Sequence, residues 1–280
     1  MTARPNVIAL VVHGGAGRWR ADQLARTQSG MERALDAGVA VLKASGSALD
    51  AVEAAVMVLE DDPVFNAGVG SHPNADGEIE MDAIVVDGST RNFGAVAAIR
   101  HVRHPVSAAR KVLERTPHCL LAGEGATRFA HECGFPFVST SELLEPAPTH
   151  DTVGAVALDE EGRIAAATST GGTRNKMPGR IGDAPVIGSG AFADDSCGVS
   201  ATGQGEYIMR VMLSRSVAEG IARGLTCEAA AVAGIAQLEH AGGYGGVIVM
   251  DQSGHVAFAR NTPAMPYAYV DGRGLRQIGT

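Results

Sequence analysis

The sequence predicts a mixed α/β (α+β) protein in which two stacked sheets carry helices on their outer faces. Two observations carry this expectation. Strand-like apolar runs are followed by pairs of helix-periodic segments in both halves of the chain. The composition, 45% hydrophobic but only 4% aromatic with 36 glycines, calls for a core of Ala, Val, Leu and Ile cut by many tight turns. With 280 residues and no linker-like run between its motifs, the chain is expected to form a single domain over 1–280.

Val7 to Val12 is continuously apolar, as a strand buried on both faces requires, and it runs into His13-Gly14-Gly15-Ala16-Gly17. That turn lacks the lysine and spacing of a P-loop, so its glycines are expected to serve close packing, and His13 to be a buried, hydrogen-bonded histidine. Apolar residues at helical spacing predict helices over 21–44 and 48–59, with Ser47 and Asp50 forming a capping box between them. Leu59 to Gly70 reads as a loop whose acids lack the alternation of a calcium-binding EF-hand. Residues 78–87 and 93–102 predict a hairpin, and 105–114 and 124–132 two more helices.

Glu145-Pro146-Ala147-Pro148-Thr149 is polar and proline-bearing, hence expected at the surface, whereas the run from Thr152 to Asp159 is strand-like and apolar. A threonine therefore stands where an exposed segment becomes a buried strand. A threonine hydroxyl needs a base beside it to act as a nucleophile, and no histidine follows until His240. Cleavage before Thr152 would supply one, because a free α-amine titrates at about 7.7–8.0. An ordinary strand start explains Thr152 alone equally well. Its company favours chemistry: Thr168-Ser169-Thr170-Gly171-Gly172, Gly179-Arg180-Ile181-Gly182-Asp183 and Thr202-Gly203-Gln204-Gly205-Glu206 offer hydroxyls, backbone donors and both signs of charge. Helices are expected over 206–222 and 226–240, and a final hairpin over 245–251 and 255–260.

These blocks, with Phe65-Asn66-Ala67-Gly68-Val69-Gly70 and Met81-Asp82-Ala83, resemble in order the plant-type (type 2) L-asparaginase and isoaspartyl peptidase family of N-terminal-nucleophile (Ntn) hydrolases. The resemblance covers nearly the whole chain. It implies a four-layer αββα sandwich and autocatalytic cleavage into an α subunit, 1–151, with a short linker near 140–151, and a β subunit, 152–280. It implies a threonine amidohydrolase acting on β-aspartyl (isoaspartyl) peptides and L-asparagine through an acyl-enzyme on Thr152. Thr170, Thr168 and Asn66 would orient the nucleophile, and the Thr202 hydroxyl and Gly203 N–H would hold the oxyanion. Arg180, Asp183 and the Gly205 carbonyl would bind the substrate's α-carboxylate and α-ammonium. For Arg180 and Asp183, a local surface ion pair is the plain alternative.

The same resemblance implies a structural sodium ion on the carbonyls of Leu59, Glu60, Asp62, Phe65, Ala67 and Val69, no cofactor for catalysis, and a homodimer of αβ units. Its linker is shorter than the family's usual one, which bears on the rate and completeness of maturation. A glycosylasparaginase is the nearest competing reading, suggested by His150-Asp151-Thr152 and Ala193-Asp194-Asp195; Gly171-Gly172, Lys176 and Gly205-Glu206 favour the asparaginase branch. An uncleaved, catalytically silent amino-acid binder is the alternative from another class.

The net charge of −8 argues against a nucleic-acid or anionic-membrane surface, and no apolar run is long enough to span a bilayer. Cys119, Cys133, Cys197 and Cys227 form no C-x-x-C pair and the N-terminus lacks an apolar signal core, so a cytoplasmic setting with reduced thiols is expected. His101-Val102-Arg103-His104 and His131-Glu132-Cys133 lack a second matched pair at zinc-site spacing.

Overall fold

The computed structural model describes residues 7–144 and 152–280. The stretch 145–151, with the Asp151–Thr152 bond and most of the expected linker, lies outside the described residues. Up to residue 144 the elements are β1 (Ala9–His13), α1 (Ala21–Lys43), α2 (Ala48–Asp61), β2 (Met81–Asp87), β3 (Asn92–Ile99), α3 (Pro105–Arg115), β4 (Leu120–Ala122), α4 (Gly123–Glu132) and α5 (Thr140–Leu143). From residue 152 they are β5 (Val153–Leu158), β6 (Ile164–Thr170), β7 (Ala191–Ala193), β8 (Cys197–Gly203), α6 (Gly205–Val211), α7 (Leu213–Ala222), α8 (Cys227–His240), β9 (Gly245–Asp251), β10 (Val256–Arg260), β11 (Tyr267–Val270) and β12 (Arg276–Gly279).

The strands form an eight-stranded sheet, β12-β11-β1-β5-β6-β2-β3-β4, and a four-stranded sheet, β10-β9-β8-β7. Alternation along β5 explains how the layers stack. Val153, Ala155 and Ala157 join Leu10, Leu35, Val52 and Val56 in a core under α1 and α2, while Val156 and Leu158 join Ile248 and Met250 between the sheets. On the far side of the small sheet, Val199 and Val249 pack with Leu213, Val217, Ile235 and Leu238 of α7 and α8. Every strand of the central run is thus buried on both faces, which is why Val7 to Val12 reads as unbroken apolar sequence. The fold is mixed α/β of the α+β kind, as the element pattern predicted.

Ser47 caps α2 as expected: its Oγ accepts from Asp50 N at 3.1 Å while Asp50 Oδ2 accepts from Ser47 N at 3.2 Å. The helix runs two residues past Leu59, so Leu59 and Glu60 belong to its last turn rather than to the loop. Nothing breaks it before Pro63, which holds Asp62 extended at φ −96°, ψ 110°. The single helix expected over 206–222 is two. Met212 adopts φ 48°, ψ 54°, which lets Arg215 N donate to Gly188 O at 2.8 Å and Ser214 Oγ to Ser189 O at 2.7 Å. Those turn carbonyls outweigh a left-handed residue's cost of about 1–3 kcal/mol. Among the described residues no helix is long and apolar enough to cross a membrane.

Candidate active site

The β5–β6 ladder pairs Val153 with Ser169 and so brings Thr152 to the strand mouth beside Thr170. Thr152 is buried. Side chains of β6 alternate: Ser169 turns to the helix side, where its Oγ donates to Glu60 Oε1 at 2.6 Å, and Thr168 turns to the small sheet. There Thr168 Oγ1 lies 2.8 Å from Ser200 Oγ and donates to Gly190 O at 2.9 Å, and Ser200 Oγ lies 2.9 Å from His13 Nε2. Burial pushes His13 down to about 3, so the ring is neutral, as a packed and hydrogen-bonded histidine should be. Gly154 faces this chain, and a Cβ there would run into Ser200 Oγ and His13 Nε2. Thr168 therefore supports the strand from behind and does not line the hollow in front of Thr152.

That small hollow is lined by Asn66, Thr152, Thr170, Gly172, Thr173, Arg180, Asp183 and Gly203. Asn66 comes from the first half of the chain. Its Oδ1 accepts from His72 N at 2.8 Å, its Nδ2 donates to Gly172 O at 2.7 Å, and its carbonyl accepts from Gly171 N at 2.8 Å. Its contacts thus shape the backbone that leaves Thr170, whose own Oγ1 accepts from Gly172 N at 3.0 Å. Thr202 sits one residue behind the lining. Its Oγ1 accepts from Ala16 N at 3.2 Å, which leaves the hydroxyl proton free to be donated. Gly203, at φ 139°, has no room for a Cβ against Tyr244 O.

Arg180 and Asp183 do not pair with each other. Arg180 Nε and Nη2 lie 2.9 and 2.8 Å from Glu206 Oε1, while the buried Asp183 keeps Oδ2 without a hydrogen-bond partner. Burial pushes Asp183 up to about 7; the nearby Arg180 opposes the rise, and Asp82 and Glu206 add to it. Gly205 makes the pocket possible, because a Cβ would stand 2.8 Å from Asp183 Oδ1 and 2.9 Å from Arg180 Nη2.

Three residues that hold the site were not singled out for it from the sequence. Lys176, buried, donates from Nζ to Glu80 O at 2.6 Å and to Gly171 O at 3.0 Å. Asp82 accepts from Ala98 N at 2.8 Å and Gly182 N at 3.1 Å, and Glu80 accepts from Gly179 N at 2.9 Å. Together they strap the Arg180 and Asp183 loop onto β2. Burial draws Lys176 down and Asp82 up, and their opposite charges pull both back. The available signal was Glu80 and Asp82 two apart, hence on one side of a strand, with Lys176 in the glycine-rich loop. Lys176→Met would leave Asp82 buried without its countercharge. We expect a loss of about 3–5 kcal/mol, a fall in melting temperature of at least about 6 °C by calorimetry, and a raised KM from a loosened loop.

The proposed cation carbonyls straddle a helix end and a loop. Glu60 O accepts from Val69 N at 2.8 Å and Asp62 O from Phe65 N at 3.0 Å, and each carbonyl keeps a second lone pair. Gly68 at φ 55° and Gly70 at φ 95° keep side chains away: a Cβ on Gly70 would lie 2.5 Å from Phe65 O, and one on Gly68 would strike Glu60 O. All-carbonyl oxygen in a glycine cradle fits a hard monovalent ion.

A family model described as Asparaginase matches residues 6–149 and 140–280. An isoaspartyl peptidase/L-asparaginase of Xenopus laevis is 46% identical, covering 93% of this chain and 91% of its own length. The corresponding Homo sapiens protein is 42% identical over 94% of this chain and 92% of its own. A plant-type L-asparaginase of Pyrococcus horikoshii is 41% identical over 94% and 96%.

Proposed function

Since the chain belongs to the asparaginase family of isoaspartyl peptidases and plant-type L-asparaginases, we propose that it hydrolyses β-aspartyl peptides and L-asparagine through an acyl-enzyme on Thr152. It is a hydrolase of that family. The observation that carries the mechanism is the gathering, around one small hollow, of Thr152, Thr170, Arg180, Gly203 and a buried Asp183 with an unclaimed oxygen.

In this reading Thr152 Oγ attacks the side-chain amide carbonyl and the α-amine of Thr152 takes its proton, then delivers it to the leaving amine. Water attacks the resulting ester, the same amine again acting as base. Negative charge on the carbonyl oxygen meets the Thr202 hydroxyl and the Gly203 N–H, a donor of this kind being worth about 10²–10³ in turnover. Arg180 takes the α-carboxylate in a charge-assisted contact, and Asp183 with the Gly205 carbonyl takes the α-ammonium. A carboxylate that is costly to bury alone becomes favourable once an ammonium arrives, so the site prefers substrates that carry one.

The Thr152 amine must first be freed by attack of its own hydroxyl on the Asp151 carbonyl and an N-to-O acyl shift, dividing one domain into 1–151 and 152–280. The three cores, helix on sheet, sheet on sheet and sheet on helix, support assignment to the four-layer αββα sandwich of the Ntn type. The carbonyls of Leu59, Glu60, Asp62, Phe65, Ala67 and Val69 would hold sodium, which would stiffen the segment carrying Asn66. A homodimer of αβ units is part of the same proposal, as is a cytoplasmic setting, supported by four free cysteines.

Intact mass and N-terminal sequencing of the purified protein test the reading. Two fragments are expected, the second starting at Thr152. One uncut chain without amidase activity overturns it. Parallel assays of a β-aspartyl dipeptide and a glycosylated asparagine should favour the former.

A further inference from the structure

A second cluster of reactive side chains lies away from this hollow. Cys227 at the start of α8, Asp251 at the end of β9 and His255 just before β10 each present a ligand atom within 4.8 Å of the others. Asp251 and His255 flank the β9–β10 turn and Cys227 comes from α8, so the tertiary structure brings the thiol to the other two. The cluster is well prepared. Asp251 Oδ1 is held by Ser253 N at 2.8 Å, Ser253 Oγ at 2.6 Å and His255 N at 3.1 Å, which fixes the carboxylate and the residue that carries the imidazole. Glu228 Oε1 stands 2.8 Å from His255 Nε2, the kind of carboxylate contact that orients metal-binding histidines. The Cys227 thiol is buried, donates weakly to His255 O at 3.5 Å and is in hydrogen-bond contact with the Asp251 carboxylate.

We propose that Cys227, Asp251 and His255, with Glu228 beside the imidazole, bind one divalent cation of the zinc class. One sulfur, one imidazole and a carboxylate oxygen within 4.8 Å of one another suit a borderline-soft, four-coordinate ion better than calcium or magnesium, which take oxygen. Binding replaces the Cys227 S–H bond with a sulfur–metal bond and releases that proton to solvent. Burial and the neighbouring Asp251 and Glu228 carboxylates hold the empty thiol's pKa up, and the same negative surroundings attract a cation.

The role is structural. The ion would staple the N-terminus of α8 to the β9–β10 turn. The β8–β9 ladder runs from Cys197 opposite Asp251 to Gly203 opposite Gly245, so the cluster and the catalytic hollow occupy opposite ends of the small sheet, about 20 Å apart at about 3.4 Å per residue. The inference is independent of the Thr152 mechanism, and its test does not read hydrolysis.

The experiment is titration of the metal-free full chain with Zn²⁺ against a chromophoric chelator, and of a parallel sample with Co²⁺ followed by absorbance. One Zn²⁺ per chain is expected, with Kd below about 1 μM, along with a thiolate-to-cobalt charge-transfer band. His255→Asn, at an exposed position, should weaken Zn²⁺ binding at least about tenfold, and Cys227→Ser should abolish the cobalt band. Should the serine variant fail to fold, the histidine variant and the cobalt spectrum of the native chain decide. Binding below one equivalent, binding equal in the native chain and His255→Asn, or no thiolate band overturns the proposal and leaves an exposed His255–Glu228 ion pair beside a buried thiol.

Discussion

Thr152→Ala is expected to leave the chain in one piece and to remove at least about 10⁴ of its amidase turnover. Both losses share one cause. In the proposed mechanism the same oxygen attacks the Asp151 carbonyl during maturation and the substrate carbonyl afterwards, and alanine has no atom in its place. The buried methyl of alanine fits where the threonine side chain packs, so the variant should fold with a melting temperature within a few degrees of the native chain. Thr152→Ser keeps an oxygen and should retain slow cleavage and partial turnover, since serine lacks the β-branch that restricts the rotamer. Denaturing gels, N-terminal sequencing, a β-aspartyl dipeptide assay and a thermal melt read these outcomes. An alanine variant that is cut or active at native rates would remove Thr152 from the mechanism.

The second large effect falls on Asp183 and has opposite signs for activity and stability. In the folded chain its pKa is raised to about 7 from 3.8 by burial. The folded state therefore holds a proton that the unfolded state has released, and stability falls as pH rises between those two values. Asp183→Asn removes that penalty and should stabilise the protein by a few kcal/mol at pH 8, with little gain at pH 4. Activity moves the other way. An ammonium facing a buried asparagine loses its countercharge, so kcat/KM should drop by about 10²-fold or more. In the native enzyme kcat/KM should fall with pH in two steps, first as the Thr152 amine is protonated and again below about 7 as Asp183 becomes neutral, and the asparagine variant should keep only the amine's step. Denaturant melts at two pH values and a pH–rate series check it. An unchanged profile in Asp183→Asn would assign the lower step to another group.

Much of this molecule was legible from local chemistry. The capping box at Ser47 and Asp50, a doubly buried strand in the Val7 to Val12 run, which the structure places at Ala9–His13, and the neutral packed role of His13 all follow from patterns a few residues long. The blocks around Asn66, Thr152, Thr170, Arg180 and Gly203 pointed to residues that line one hollow. The short strands were less visible. β8, Cys-Gly-Val-Ser-Ala-Thr-Gly, has small residues and weak strand propensity, and its extended form comes from pairing with β9 along its whole length. The break at Met212 has no glycine or proline to announce it, because its cause is the Gly188–Ser189 turn more than twenty residues away.

What the sequence alone determined was most of the set of residues that line the hollow and the periodicity of the elements that bear them, since both were read from neighbours along the chain. Tertiary structure decided the partners. It paired Arg180 with Glu206 and not with Asp183, set Lys176 against Asp82, ran Ser200 between His13 and Thr168, and brought Cys227 to His255. Such choices belong to the fold because a buried polar group takes whichever donor or charge the packing leaves within reach, and sequence distance does not enter that contest.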